Sequence, residues 1–202
     1  MNVVLASGNA GKLEELGAVL LPLGVTLCTQ RQLGISDADE TAITFVENAL
    51  LKARHAAAAS NLPAIADDSG LVVAALDGAP GVLSARYAGS PSDAAANNRK
   101  LIASLAGVRD RRAYFFCSLV FLRSAADPAP LIASATWNGR IVDEPAGSGG
   151  FGYDPHFLDD GFDRTAAELP ASVKNRVSHR GRAAAALVDA IRTALGEMQR
   201  HR

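Results

Sequence analysis

The sequence predicts a single α/β domain, residues 1–202, built on a mixed β-sheet, and three features support this prediction. A chain of 202 residues of which 49% are apolar is long enough for one sizeable hydrophobic core. Apolar runs typical of strands alternate with longer segments of helical periodicity. The dipeptide Asn138-Gly139, a strong short signal for a β-hairpin, adds antiparallel pairing to that pattern.

Charge and composition argue against several classes of protein. The 20 Lys and Arg residues nearly balance the 21 Asp and Glu residues, so no overall field attracts the chain to nucleic acid or to an anionic membrane. The amino terminus has no basic leader, and no apolar run approaches the ~20 residues that span a bilayer. Cys28 and Cys117 lack metal-ligand spacing and are expected to be reduced core residues. We therefore expect a soluble, cytoplasmic protein.

The chain opens with a predicted strand at residues 3–6 and a predicted helix at residues 13–21. Between them lies Ser7-Gly8-Asn9-Ala10-Gly11-Lys12. A helix amino terminus offers free N–H groups and a partial positive charge, so this small-residue loop with its lysine suits an anion. The Walker phosphate loop requires other residues at Ala6 and Leu13, which argues against a P-loop kinase or GTPase. A tight turn with a solvated lysine explains the loop equally well.

Residues 44–60 carry the clearest helical pattern, beginning with a capping box formed by Thr44 and Glu47. The apolar stripe consists of Phe45, Val46, Ala49, Leu50 and Ala53. The polar positions on the opposite face are Asn48, Lys52 and His55. We expect that face to be solvated, although Glu47 and Lys52 could also serve a site nearby. The polar loop upstream contains Asp37, Asp39 and Glu40. Its carboxylates could bind a hard cation, although acidic loops are usually only solvated.

The segment Asp67-Asp68-Ser69-Gly70 follows a short apolar run at residues 64–66. A strand that delivers two carboxylates and a hydroxyl into a turn can present a metal ion. Adjacent strand residues point to opposite faces, so Asp67 and Asp68 are expected to have different functions. Taken alone, an ordinary Asp-rich turn is the simpler explanation.

The second half of the chain supplies the remaining predicted elements. Strands are predicted at residues 71–76, 113–122, 131–137 and 140–142, the last two joined by the Asn138-Gly139 turn. Helices are predicted at residues 93–105 and 181–195. These elements complete a mixed sheet with flanking helices.

Residues 145–155 form a glycine-rich segment, which we call the glycine loop. Its glycines match the spacing of the dinucleotide fingerprint, but that fingerprint closes a strand and opens a helix, whereas Pro145 and Pro155 flank this loop. Glycines allow the backbone to approach a ligand closely, and Phe151 and Tyr153 offer faces on which a base can stack. We favour a ligand-binding role over a flexible surface loop.

Cationic and hydrogen-bonding groups precede the last predicted helix, at Lys174 and in Ser178-His179-Arg180-Gly181. Arginine and histidine are good donors to the keto oxygens of a purine, and arginine can reach two acceptors at once. Ser178 could also serve simply as the N-cap of the helix.

These motifs together resemble the inosine triphosphate pyrophosphatase family, whose members hydrolyse dITP, ITP and XTP. The motifs are Ser7-Gly8-Asn9-Ala10-Gly11-Lys12, Asp67-Asp68-Ser69-Gly70, Gly149-Gly150-Phe151-Gly152-Tyr153-Asp154-Pro155 and Ser178-His179-Arg180-Gly181. Residues 44–49, 78–81 and 84–87 resemble its bacterial branch. Each motif is weak alone, but four in order along almost the whole chain are specific.

The resemblance implies a two-lobed α/β fold in which a long mixed central sheet is flanked by helices and a cleft separates the lobes. It also implies a homodimer that uses Mg²⁺ and cleaves between the α and β phosphates. The products would be a nucleoside monophosphate and pyrophosphate, which would keep deaminated purines out of DNA and RNA.

The resemblance also assigns roles to individual residues. The triphosphate would be bound by Ser7, Gly8, Asn9, Ala10, Gly11 and Lys12. Asp68 would be the catalytic carboxylate and, with Glu40, a metal ligand, while Ser69 would contact the substrate. The nucleotide pocket would be lined by Phe151, Gly152, Tyr153, Asp154, Lys174, His179 and Arg180.

Two alternatives remain, and the second belongs to another functional class. A pyrophosphatase of related fold could act on modified pyrimidine or methylated nucleotides, but the His179-Arg180 pair with Phe151 favours a purine with a 6-keto group. A non-catalytic nucleotide sensor would keep the pocket and lose the acid, whereas Asp68 is intact.

Overall fold

The computed structural model describes residues 1–7, 13, 16–17 and 20–200. The strands are β1 Asn2–Leu5, β2 Thr26–Thr29, β3 Ala64–Val73, β4 Arg112–Leu122, β5 Leu131–Ile141 and β6 Phe157–Asp159. The α-helices with defined bounds are α1 Phe45–Ser60, α2 Ala94–Ser104, α3 Ala171–Val177 and α4 His179–Arg200. Short 3-10 helices lie at Leu21–Leu23, Ala74–Leu76, Gly81–Arg86 and Asp154–His156.

The strands form one mixed sheet in the order β2-β1-β3-β4-β5-β6. Strand β1 pairs in parallel with β2 and β3, whereas β5 and β6 are antiparallel. The predicted α/β class with a mixed sheet is therefore confirmed. The chain divides into two compact units. The first is Met1–Asp68, Cys117–Ala135 and Arg180–Arg202, and the second is Ser69–Phe116 and Thr136–His179.

The first unit buries apolar side chains in two clusters that follow the alternation of its strands. One cluster joins Val3, Leu5 and Ile65 to the apolar stripe of α4, which includes Leu187. The other joins the alternate strand residues, among them Val4, Ala64 and Ala66, to the alanine face of α1 at Ala49, Ala53, Ala56 and Ala57. Since successive strand side chains point to opposite faces, α4 and α1 cover the two faces of these strands.

The second unit has a core of its own, rich in aromatic side chains. Phe115, Trp137 and Phe157 pack there with Leu71 and Leu101. The Phe115 and Phe157 ring centroids are 4.6 Å apart, and those of Trp137 and Phe157 are 5.2 Å apart. These distances fall within the favourable range for aromatic pairs.

The expected turn at Asp67-Asp68-Ser69-Gly70 is absent, because β3 continues through all four residues to Val73. The strand predicted at residues 71–76 is the end of β3, and a 3-10 helix takes over at Ala74. Residues that favour turns remain in a strand here because both carboxylates find cationic partners within the first unit.

The predicted Asn138-Gly139 hairpin is wrong, since β5 runs unbroken from Leu131 to Ile141. Gly139 instead pairs with Asp159 of the antiparallel strand β6. A Cβ atom at Gly139 would overlap the carbonyl oxygen of Leu158 and the ring of Phe157. The glycine therefore serves close approach between strands, which is the other common reason for glycine in a strand.

The helices at 44–60 and 93–105 are confirmed, with Thr44 and Asp93 as their N-caps. The solvated polar face predicted for the first of them is wrong at two positions. Asn48 is buried and bonded to the backbone of Ala42, and the Lys52 side chain is only 13% exposed.

The remaining predictions are met in part. Helix α4 begins at His179, two residues before the predicted start. The helix predicted at residues 13–21 lies partly outside the described residues; 13, 16, 17 and 20 are helical. Cys28 and Cys117 are free thiols. Within the described ranges, no helix combines the length and apolar character that a membrane crossing requires.

Candidate functional site

A buried lysine joins two carboxylates in the first unit. Asp68 lies on β3 with its side chain on the same face as Ala64 and Ala66, toward α1. Lys52 of α1 donates from Nζ to Oδ1 of Asp68 at 2.9 Å and to Oε1 of Glu40 at 2.8 Å. We call Glu40, Lys52 and Asp68 the carboxylate cluster.

The electrostatics of the carboxylate cluster are unbalanced. Oδ2 of Asp68 is buried and finds no hydrogen-bond partner among the residues that the structure describes. Burial raises the pKa of Asp68 above its ordinary value, against the opposing effect of Lys52, and the charges of Glu40 and Asp67 raise it further. Burial alone would lower the pKa of Lys52, but the carboxylates beside it reverse that effect and raise it. An acceptor oxygen therefore remains available in a region of excess negative charge.

Magnesium suits this donor set. Across the described residues, no group of three or more His, Cys, Asp or Glu side chains forms a ready metal cage. Mg²⁺ bound with a nucleotide usually takes only one or two protein carboxylates, and substrate phosphates and water complete its shell. Asp68 and Glu40, brought together by Lys52, match that requirement. Asp37 of the same acidic loop instead accepts a hydrogen bond from Gln30.

Asp67 faces the opposite side of β3. Its Oδ2 lies 3.6 Å from Nε of Arg180 in the first turn of α4, and the two side chains are 0% and 7% exposed. The neighbouring carboxylates thus have different cationic partners on the two faces of one strand.

A buried carboxylate with two hydrogen-bond donors organises the glycine loop in the second unit. Asp154 is buried, and its Oδ2 accepts hydrogen bonds from the backbone N–H of Phe151 at 2.7 Å and from Nζ of Lys174 at 2.5 Å. That Nζ also lies 5.0 Å from the Phe151 ring centroid, within cation–π range. Phe151 is 54% exposed, so an aromatic face is available to a planar ligand.

Glycines are required where the glycine loop packs most closely. At Gly150 the backbone has φ +70°, and a Cβ atom would overlap the carboxylate of Asp154. At Gly147 a Cβ atom would lie 2.5 Å from the carbonyl carbon of Ala167. Asn98 of α2 holds the loop from another side, since its Nδ2 donates to the carbonyl of Gly152 at 2.9 Å. The loop is therefore a bonded structure and not a flexible segment.

Tyr153 does not offer the exposed face that the sequence suggested. Its ring packs in the core of the second unit, and its hydroxyl donates to the carbonyl of Ser84 at 2.8 Å. Burial raises the pKa of the Tyr153 hydroxyl, so it stays neutral. Of the two aromatic residues in the loop, Phe151 is therefore the one whose ring is exposed for stacking.

His179 is held by an aromatic stack. Its ring lies 4.9 Å from that of Phe115 with an interplanar angle of 12°, and 6.3 Å from that of Trp137. Trp137 is fixed in turn by a hydrogen bond from Nε1 to Asp159. Sequence reasoning identified Phe115 and Trp137 only as strand residues, and nothing in their spacing links them to His179.

The other predicted site residues are placed as follows. Ser7 comes two residues after β1 and Ser69 lies within β3. Gly8, Asn9, Ala10, Gly11 and Lys12 lie outside the described residues. Lys52 is not among the predicted site residues, although the sequence left open that it serves a site nearby. Its helical spacing places it on a polar face, but nothing in that spacing indicates that the face is buried against Asp68.

Comparison with known proteins settles the family. The model of the Ham1 family matches residues 3–190. The chain belongs to the Ham1 family. Its relatives include the dITP/XTP pyrophosphatase of Nitrosomonas europaea, 58% identical over 92% of each chain, and that of Xanthomonas oryzae, 57% identical over 92% of this chain and 94% of the relative. The resemblance drawn from the four motifs is confirmed.

Solved Ham1 structures share the fold over almost the full chain. A HAM1 protein from Coxiella burnetii has a TM-score of 0.92 at 46% identity, covering 96% of this chain and 99% of its own. The nucleoside-triphosphatase / dITP/XTP pyrophosphatase from Mycobacterium abscessus has a TM-score of 0.76 at 42% identity, covering 93% and 97%.

Proposed function

We propose that this Ham1 protein hydrolyses deaminated purine nucleoside triphosphates, namely dITP, ITP and XTP, to the monophosphate and pyrophosphate. The names of relatives more than half identical over nine-tenths of the chain support the substrate class. The structural observation that carries the proposal is the buried Oδ2 of Asp68, which accepts no hydrogen bond from any described residue although Lys52 bonds the other oxygen. A carboxylate of this kind can accept a proton from water or hold it in line for attack.

To catalyse this hydrolysis, the protein must overcome the electrostatic repulsion between the triphosphate and an anionic nucleophile. In this proposal Asp68 orients and deprotonates the attacking water, and Lys52 holds Asp68 and Glu40 in place while offsetting part of their charge. Positioned general bases typically accelerate reactions by about 10² to 10⁴-fold. Ser69 and residues 7–12 would bind the phosphates, with Lys12 supplying a second positive charge.

Mg²⁺ is the proposed cofactor, and Asp68 and Glu40 are the residues that would hold it. When bound, the cation would neutralise charge on the phosphates. Carboxylate oxygens are the ligands that this hard cation prefers, and histidine, absent from the cluster, is not required.

The purine base would be read by Phe151, Lys174, His179 and Arg180. Phe151 offers a stacking face, while the other three carry hydrogen-bond donors. Hypoxanthine and xanthine present a keto acceptor at position 6, whereas adenine presents an amino donor that would meet these donors unfavourably. An unpaired buried polar group costs about 1–3 kcal/mol, which corresponds to roughly 10- to 100-fold in selectivity.

A homodimer in the cytoplasm that binds neither nucleic acid nor membranes completes the proposal. The near balance of charges supports the lack of nucleic-acid binding. Light scattering on the purified chain would test the dimer, and a monomeric mass would refute it.

A substrate panel tests the proposed reaction. We would incubate the protein with Mg²⁺ and ITP, XTP, dITP, dUTP, ATP or GTP, and measure pyrophosphate and monophosphate. The expected result is pyrophosphate release from ITP, dITP and XTP at rates at least about tenfold above those for ATP. Preferential turnover of ATP or dUTP, or release of orthophosphate instead, would refute the assignment.

A further inference from the structure

Asp67 is a buried carboxylate that has no role in the proposed reaction. Its side chain is fully buried on β3 beside the catalytic Asp68. An ionised carboxylate costs several kcal/mol to bury unless it is paired, so its persistence at this position requires a partner.

Arg180 is a cationic partner that the structure places beside Asp67 within the first unit. The strand alternation directs Asp67, like Ile65, toward α4, whose first turn carries Arg180. Oδ2 of Asp67 lies 3.6 Å from Nε of this arginine. The pair therefore lies between two elements of the same core, in a position set by β3 and α4.

The orientation of a guanidinium decides what it can recognise. Its five N–H donors form a rigid planar fork that reads the keto oxygen and N7 of a purine as a pair. A carboxylate facing Nε restrains the rotation of that fork about the side-chain axis. Discrimination of a 6-keto from a 6-amino group depends on this orientation more than phosphate binding does.

We propose that Asp67 is a positioning residue that orients Arg180 for recognition of the 6-keto purine, and so contributes to base selectivity and not to the chemical step. This inference rests on the proposed function of Arg180 in base binding. A competing role exists, because the charge of Asp67 also acts on Asp68 and Lys52. The two roles predict different kinetics, since an effect on Asp68 would change turnover of every nucleotide equally.

The test compares kcat and KM for ITP and ATP in the wild type, Asp67→Asn, Arg180→Lys and the double variant. For Asp67→Asn we expect the ITP/ATP ratio of kcat/KM to fall about 10- to 100-fold, the value of one hydrogen bond to a charged group. The loss should appear as a higher KM for ITP, with kcat changed less than about threefold. If Asp67 acts through Arg180, the double variant should lose little more than Arg180→Lys alone.

Asp127→Asn is the matched control. Asp127 is also a buried carboxylate of the first unit, paired with Arg123 at 2.5 Å, and has no role in the proposed site. We expect it to leave the ITP/ATP ratio unchanged. Circular dichroism and thermal unfolding would establish that each variant is folded.

Distinct outcomes separate this inference from the proposed function. A wild-type ITP/ATP ratio near one would refute the proposed function. A wild-type preference that Asp67→Asn retains, or an equal fall in kcat for both nucleotides, would overturn the inference alone. Should Asp67→Asn not fold, Asp67→Glu keeps the charge and displaces the guanidinium; it must lower the ITP/ATP ratio, and an unchanged ratio would overturn the inference.

Discussion

The carboxylate cluster and the glycine loop each contain a buried aspartate close to a lysine, yet the two aspartates differ. Asp154 in the loop uses Oδ2 to accept hydrogen bonds from Lys174 and from the backbone of Phe151. Asp68 in the cluster pairs Oδ1 with Lys52, while its buried Oδ2 has no hydrogen-bond partner within the described part of the chain. Burial raises the pKa of Asp68 despite the lysine.

This difference teaches how one residue type can serve two purposes. A carboxylate that bonds the backbone of its own loop stabilises one conformation. A buried carboxylate oxygen without a hydrogen bond lowers the stability of the folded protein. Natural proteins keep such groups mostly at functional sites. We therefore propose that the cluster carries out the chemistry and that a preformed loop binds the base.

After substitution of Asp68 itself, Lys52→Gln should have the largest effect, because it removes the cation between two carboxylates. We expect turnover of ITP to fall about 10- to 100-fold, since a hydrogen bond to a charged group contributes about 1.5–3 kcal/mol. Steady-state kinetics would measure the loss, with Lys52→Arg as the charge-preserving control. Wild-type turnover in Lys52→Gln would remove Lys52 from the site and weaken the contrast between the two regions.

Gly150→Ala should have an intermediate effect, because the new Cβ atom would overlap the carboxylate of Asp154. Gly107→Ala, which lies outside the proposed site, is the matched control. Both glycines have positive φ, +70° and +75°, but no described residue places an atom within 4 Å of a Cβ atom at Gly107. We expect Gly150→Ala to raise the Kd for ITP and to lower the free energy of unfolding by about 1–3 kcal/mol more than the control does. Calorimetry and chemical denaturation would measure both, and equal effects would show that the bond network around Asp154 is unimportant.

Tyr153→Phe should have the smallest effect. It removes one hydroxyl and its hydrogen bond to the carbonyl of Ser84. Stability should fall by about 1 kcal/mol, while kcat and KM stay near the wild-type values. A large rise in KM with unchanged stability would mean that the hydroxyl contacts the substrate, against the buried position observed.

Local sequence patterns predicted a helix or strand correctly where the local residues favour one type of secondary structure. The capping box at Thr44 and the apolar run of β4 gave the right helix and strand. Asn138-Gly139 and Asp67-Asp68-Ser69-Gly70 misled because turn preference is a local property, whereas strand pairing is decided by distant residues. The close approach of Leu158 to Gly139 illustrates this, since no local feature reveals it.

The same distinction between local pattern and distant packing applies to the residues of the candidate site. The motifs predict Asp68, Asp154, Lys174 and His179 as site residues, because residue type and order can suggest such roles. The buried position of Lys52, the stacking of His179 on Phe115 and the core position of Tyr153 depend on packing between remote segments. Strand periodicity did predict that the side chains of Asp67 and Asp68 point to opposite faces. Their ion-pair partners, on α4 and α1 respectively, agree with this prediction.

The most direct test makes the same change in both regions, with Asp68→Asn compared with Asp154→Asn. Single-turnover kinetics and ITP binding by calorimetry would be measured for each folded variant in the presence of Mg²⁺. We expect Asp68→Asn to lower the rate of hydrolysis about 10² to 10⁴-fold with ITP affinity largely kept. Asp154→Asn should instead weaken ITP binding about tenfold or more, with the rate at saturation kept within a few-fold. If Asp68→Asn still turned over ITP, or if both variants lost rate and affinity alike, the division between chemistry and recognition would be contradicted.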